Sequence, residues 1–107
     1  MIARACACIY LATVVEVVRA NGVEIAYQRV GGGPLLVFAH GPGEDSRVWP
    51  PRLAALADEF TVVGWDEPGA GCSSDAPADF GLADYVHCLA ALIDELALGP
   101  AHVAGLS

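Results

Sequence analysis

The run Leu35-Leu36-Val37-Phe38-Ala39 limits what this chain can fold into more than any other stretch. Its apolar residues stand in an unbroken row, between Gly31-Gly32-Gly33-Pro34 on one side and His40-Gly41-Pro42-Gly43 on the other. A strand with one wet face alternates apolar and polar residues. An unbroken apolar row means that both faces are covered, as in a parallel sheet flanked by helices. Phe60-Thr61-Val62-Val63-Gly64-Trp65 repeats the pattern, and a shorter strand is expected from His102 onward. Between the first two runs, Trp49, Leu53, Leu56 and Ala57 keep helical spacing to about Asp58. Pro50 and Pro51 fit its first turn, and Asp45 or Ser46 can cap it. Before the last strand, Leu82, Tyr85, Val86, Leu89, Ile93 and Leu96 mark one face of a second helix, which Gly99-Pro100 stops. Such alternation builds βαβ units with right-handed crossovers.

The chain opens differently. A valine-rich strand from Thr13 to Arg19 is followed by Asn21-Gly22, and then Val23, Ile25 and Tyr27 alternate with Glu24, Ala26 and Gln28. Asn-Gly between two such runs predicts a hairpin, because both turn positions need positive φ. The expected fold is therefore α/β: an antiparallel hairpin, then parallel strands with crossover helices, over residues 13–107. Residues 1–12 hold one Arg and a brief apolar run and are expected to be a poorly ordered extension. In sheets of this kind ligands sit outside the carboxyl ends of the strands. The loops 40–46 and 66–75 and the segment ending at Ser107 should meet there.

Composition narrows the partners. A length of 107 residues leaves room for one domain. Thirteen acidic residues against five Lys plus Arg give a net charge of -8, which disfavours nucleic-acid backbones and anionic membrane surfaces. No stretch reaches the roughly 18 apolar residues of a membrane span. The four cysteines are scattered and form no CxxC, so neither a metal site nor a disulfide framework is expected. Reduced thiols in a cytoplasmic protein follow as the default.

Three motifs, each after an expected strand, carry the functional reading. They are His40-Gly41, then Asp66-Glu67-Pro68-Gly69-Ala70-Gly71-Cys72-Ser73, then Gly105-Leu106-Ser107. In this order they resemble the HG oxyanion loop, the D-x-x-G-x-G-x-S loop and the first half of the Gly-x-Ser-x-Gly nucleophile elbow of the α/β-hydrolase fold family. The resemblance covers about Val14 to Ser107. It implies the N-terminal part of an α/β-hydrolase sheet, incomplete, with Ser107 as the nucleophile, activated by a histidine. It implies that His40, Gly41, Asp66, Gly69, Gly71 and Ser73 shape the loops. It also implies a small-molecule substrate with an ester, lactone, amide or peptide bond, and neither cofactor nor metal. A serine at this place fits the aspartate-nucleophile branches, haloalkane dehalogenases and epoxide hydrolases, less well.

Two departures from the family pattern bear on this reading. The residue after His-Gly usually donates its N–H to the oxyanion, but here it is Pro42, which has none. Either Gly43 donates from a shifted loop or the hole lacks a donor. In the family's order the acid and the histidine follow the serine, so the 107-residue chain is expected to be an inactive fragment.

Other readings compete. Gly41-x-Gly43-x-x-Ser46 between a strand and a helix, with Asp66 roughly 20 residues on, is close to a Rossmann dinucleotide fingerprint. A non-catalytic relative that keeps the fold for binding is a third. Residue by residue, His87, His102, Cys72 and Cys88 read as packing or surface residues. Trp49 and Trp65 read as core or pocket wall, and Glu44 and Asp45 as residues favouring a helix N-terminus.

Overall fold

The computed structural model describes residues 15–105, so the extension expected over residues 1–12 and the serine at 107 lie outside the described residues. Strands β1 (Val15–Ala20) and β2 (Val23–Gly31) form the opening hairpin. Asn21 (φ 50°) and Gly22 (φ 81°) both take the left-handed conformation that a two-residue turn of this kind requires. Three parallel strands follow: β3 (Leu35–Ala39), β4 (Thr61–Trp65) and β5 (Ala101–Gly105). The sheet order is β1-β2-β4-β3-β5. It is thus a mixed sheet, with β3 paired on both edges and β2 joined antiparallel to β4, from Tyr27 opposite Trp65 to Gly31 opposite Thr61. That second pairing is why β2 runs on past its alternating part to Gly31.

The helices explain the unbroken apolar rows. A 3₁₀ turn (Ser46–Val48) leads into helix α1 (Pro50–Leu56), and helix α2 (Leu82–Leu96) precedes β5. Leu35 and Val37 of β3, with Val63 and Trp65 of β4, pack toward Cys88 and Leu92 of α2. Their neighbours Phe38 and Val62 point the other way, toward Trp49 and Leu53. Successive side chains of a strand face opposite sides, so each must be apolar when both sides are covered. Full burial of each Val or Leu contributes about 1.5–3 kcal/mol before the entropy of ordering is counted. Gly64 lets Trp49 come close: a Cβ there would lie 3.0 Å from the indole Cδ1. The indole in turn stacks on Phe38 at 4.6 Å between ring centroids.

Along β2, Glu24 is exposed, whereas Ala26 and Gln28 are both fully buried. The loops after β3 and β4 cover that face. The first helix is shorter than its spacing predicts, ending at Leu56, because Glu59 and Phe60 turn back to bond the Leu56 carbonyl and start β4. Cys72 is disulfide-bonded, against the expectation of reduced thiols, while Cys88 is a buried free thiol in the α2 packing.

Candidate active site

The parallel register sets the ends of the strands level. Ala39 lies opposite Gly105, and Phe38 lies opposite Gly64, one residue before the end of β4. The loops that begin at His40 and Asp66 therefore leave from one rim, and β5 ends at the same rim.

Asp66 ties the two loops together. It is fully buried, and its carboxylate accepts the Ser46 N–H at 2.7 Å through Oδ1 and the Cys72 N–H at 2.9 Å through Oδ2. The Asp66 carbonyl accepts the Ser73 hydroxyl at 2.6 Å, and that hydroxyl accepts the Ala26 N–H at 2.8 Å. Gln28 Nε2 donates to Ser46 Oγ at 2.8 Å. One buried chain of hydrogen bonds thus joins β2, the first loop and the second loop, and a satisfied network of this type holds a single arrangement. Gly69 (φ 89°) and Gly71 (φ 49°) supply the positive φ values of the second loop. Ser74 latches its far end to β2 by exchanging bonds with Glu24.

His40 is the second tie. It is buried, and its Nε2 accepts the Glu67 N–H at 3.1 Å. A backbone amide can only donate, so the proton of the neutral ring sits on Nδ1 and is directed to the Gly41 carbonyl at 2.9 Å. With both ring nitrogens occupied, His40 serves as a strut between the loops.

The tip of the first loop is a β-turn with Pro42 and Gly43 in its centre. The Glu44 N–H returns to the Gly41 carbonyl at 3.2 Å, and Gly43 has φ 78°. This is the type II pattern, with proline first and glycine at the positive-φ position. The Gly41 N–H is held at 2.9 Å by the Glu44 carboxylate. Pro42 has no N–H, and the Glu44 N–H closes the turn. The Gly43 N–H is then the amide of residues 41–44 that has no acceptor among the described residues. Asp45 caps the 3₁₀ turn, accepting the Arg47 N–H at 2.9 Å and pairing with the Arg47 guanidinium. The hydrogen bond from Arg47 holds the Asp45 carboxyl below the usual carboxylate range, against a smaller opposing effect of its partial burial.

A cleft of about 760 Å³ opens between the two loops. Gly43, Glu44 and Asp45 line one wall, Glu67 to Gly71 the other, and Tyr85 of α2 closes the side. Among the described residues, its lining has the carboxylates of Glu44, Asp45, Glu67 and Asp75 and no cationic side chain.

Of the residues singled out from sequence, His40, Gly41, Pro42, Gly43, Asp66, Gly69, Gly71 and Ser73 all come together at this rim. Gln28, Glu44 and Ser46 belong with them and were missed. In the sequence Gln28 reads only as one of the alternating residues of its strand, and Glu44 as a helix-terminal charge. The cue for Ser46 and Gln28 is the pairing of two polar side chains across one buried face, which a single sequence does not display. The dinucleotide reading fails on this geometry. Gly43 sits in a closed turn, helix α1 starts only at Pro50, and both Asp66 oxygens are engaged by backbone amides, leaving no acid to hold a ribose. Among the described residues no group of three His, Cys, Asp or Glu side chains could hold a metal ion. No helix among them is long and apolar enough to cross a membrane.

Comparison with known proteins agrees with this architecture. The family model for the alpha/beta hydrolase fold matches residues 34–107. The dihydrolipoyllysine-residue acetyltransferase component of the acetoin cleaving system of Cupriavidus necator is 41% identical over 88 residues, which are 81% of this chain and 24% of that protein. The 2-(acetamidomethylene)succinate hydrolase of Mesorhizobium japonicum is 38% identical over 77 residues, 72% of this chain and 28% of that one. The crystal structure of E-2-(acetamidomethylene)succinate hydrolase superposes with a TM-score of 0.84 at 32% identity, covering 89% of this chain and 35% of that chain. The chain belongs to the α/β-hydrolase fold family. It spans about a quarter of the length of these two curated relatives.

Proposed function

We propose that the protein is a serine hydrolase of this family, acting on an ester, lactone, amide or peptide bond of a small molecule, with Ser107 as the nucleophile. The observation that carries the reading is the convergence of the two tied loops on the rim where β5 ends, one residue short of Leu106-Ser107. In this scheme the Ser107 hydroxyl adds to the acyl carbon, its proton passes to a histidine, and the carbonyl oxygen gathers negative charge. Gly43 supplies one N–H to that oxygen, because the neighbouring amides of its turn are committed elsewhere.

The base comes from outside residues 15–105. His40 is occupied at both nitrogens. His102 lies beside Phe60, at the end of the sheet away from the loops, and His87 is exposed on α2. Asp66 is likewise committed. Residues 1–107 by themselves are therefore inactive in this scheme.

The test is labelling of the full-length protein with a fluorophosphonate. The serine oxygen bonds to phosphorus, fluoride leaves, and the hydroxyl proton goes to the base. Peptide mapping should find the adduct on Ser107, and Ser107→Ala should abolish both labelling and p-nitrophenyl ester turnover. Labelling that persists in Ser107→Ala would remove the serine reading.

A further inference from the structure

We infer that Glu44 is a positioning residue for the oxyanion donor, an inference that rests on the serine-hydrolase reading above. The turn at residues 41–44 replaces the usual donor with a proline, so the next amide, Gly43, must take its place. An amide at the tip of a glycine turn is a poor donor unless the turn is rigid, because the direction of its N–H follows φ and ψ freely. Here the turn is locked from three sides. The Gly41 carbonyl receives the Glu44 N–H at 3.2 Å and the His40 Nδ1–H at 2.9 Å. The Gly41 N–H is held at 2.9 Å by Glu44 Oε1. Glu44 therefore closes the turn twice, once through its backbone and once through its side chain. The side-chain bond also spends the Gly41 amide, which leaves Gly43 as the amide presented to the cleft.

The carboxylate has a second consequence. It brings a negative charge to within one residue of the atom that must stabilise an oxyanion. That charge opposes the developing negative charge, so its use here has to lie in acceptance of the Gly41 N–H and not in its charge. A side chain with the same reach and an uncharged acceptor should then do the same work. Glutamine has both.

The experiment is the labelling rate of Ser107 by a fluorophosphonate in full-length protein, resolved into binding of the probe and the bond-forming step. Glu44→Ala is expected to slow the bond-forming step by about 10²-fold, the size of effect seen when an oxyanion donor is lost or displaced. Probe binding should stay within about threefold, since the donor acts on charge that develops only in the transition state. Glu44→Gln should recover the bond-forming step to within about threefold of the parent, at an unchanged melting temperature. Should Glu44→Ala lose its cooperative melt, Glu44→Met replaces it. An aspartate is not used, because Asp84 accepts the N–H of Gly81 at the same spacing; the methionine keeps the aliphatic length of Glu44 without an acceptor, and the same loss is expected. Unchanged labelling in Glu44→Ala, a change in probe binding alone, or a Gln variant as slow as the Ala variant would overturn the assignment. Ser107→Ala keeps the two failures apart. Labelling that survives it removes the serine reading and this inference together, whereas labelling that requires Ser107 but ignores Glu44 removes this inference alone.

Discussion

Asp66 Oδ1 accepts the Ser46 N–H at 2.7 Å, joining two loops that are 20 residues apart in sequence. The other carboxylate oxygen takes the Cys72 N–H, so a single side chain needs two acceptor atoms at once. Asp66→Asn keeps the shape but offers one acceptor and one NH₂. Whichever way the amide turns, a donor faces a backbone donor in a fully buried place. The expected cost is about 2–3 kcal/mol, the penalty of a buried amide left without a partner. It should appear as a lower urea midpoint with an unchanged slope in equilibrium unfolding.

Much of this fold is legible in the sequence because its signals are local. The row 35–39 matches β3 residue for residue, Asn21-Gly22 is the hairpin turn, and the apolar spacing from Leu82 gives α2. Each of these depends on contacts or dihedrals within a few residues. What was hidden depends on partners far along the chain. Nothing in Val23–Gly31 announces that its second edge pairs with β4, and nothing marks Gln28 as buried against Ser46. The site divides in the same way. Gly-rich loops after strands are readable, but which amide remains to donate follows from Glu44 folding back on Gly41, a choice made by the turn itself.

Two glycines with nearly the same positive φ should respond very differently to a methyl group. Gly22 (φ 81°) has nothing within 4 Å of a built Cβ, so Gly22→Ala costs only the strain of a left-handed residue, about 1–2 kcal/mol. Gly31 (φ 85°) would place its Cβ 2.3 Å from the Phe60 carbonyl oxygen and 2.6 Å from that of Ala57. Those are backbone atoms of the segment between α1 and β4, and they cannot swing aside as a side chain would. Gly31→Ala adds this clash to the same strain and should cost several times as much as Gly22→Ala. Parallel urea titrations of the two variants against the parent measure the difference.

The cap at Asp45 should make part of the stability depend on pH. Its carboxyl is held low in the folded state, first by the hydrogen bond from Arg47. A depressed folded value stabilises the protein above the unfolded pKa, about 4, and that contribution is lost as pH falls through the lower folded value. Asp45→Asn keeps a good capping oxygen but cannot titrate. Between about pH 5 and 7 the parent should be the more stable, by up to about 1 kcal/mol. Below pH 4 the two should converge. Thermal melts of both proteins from pH 3 to 7 give the comparison, and a difference that holds constant down to pH 3 would count against the cap.

Strand β5 has β3 on one edge and no partner on the other among the described residues, and Val103 at its centre is 53% exposed. An apolar strand with a bare edge offers a row of N–H and C=O groups to any second strand. A polypeptide of residues 1–107 alone should therefore self-associate through β5. The association should be slow to reverse, because parallel or antiparallel addition satisfies the whole edge at once. Val103→Lys sets a charge on the bare strand, where pairing two copies would bring like charges together. It removes only a half-exposed methyl pair from the fold, so secondary structure should be unaffected. Light scattering on the two polypeptides at matched concentration should show the parent as oligomer and the lysine variant shifted to monomer. If both run as monomers, the edge is protected in some other way and β5 is not the sticky strand.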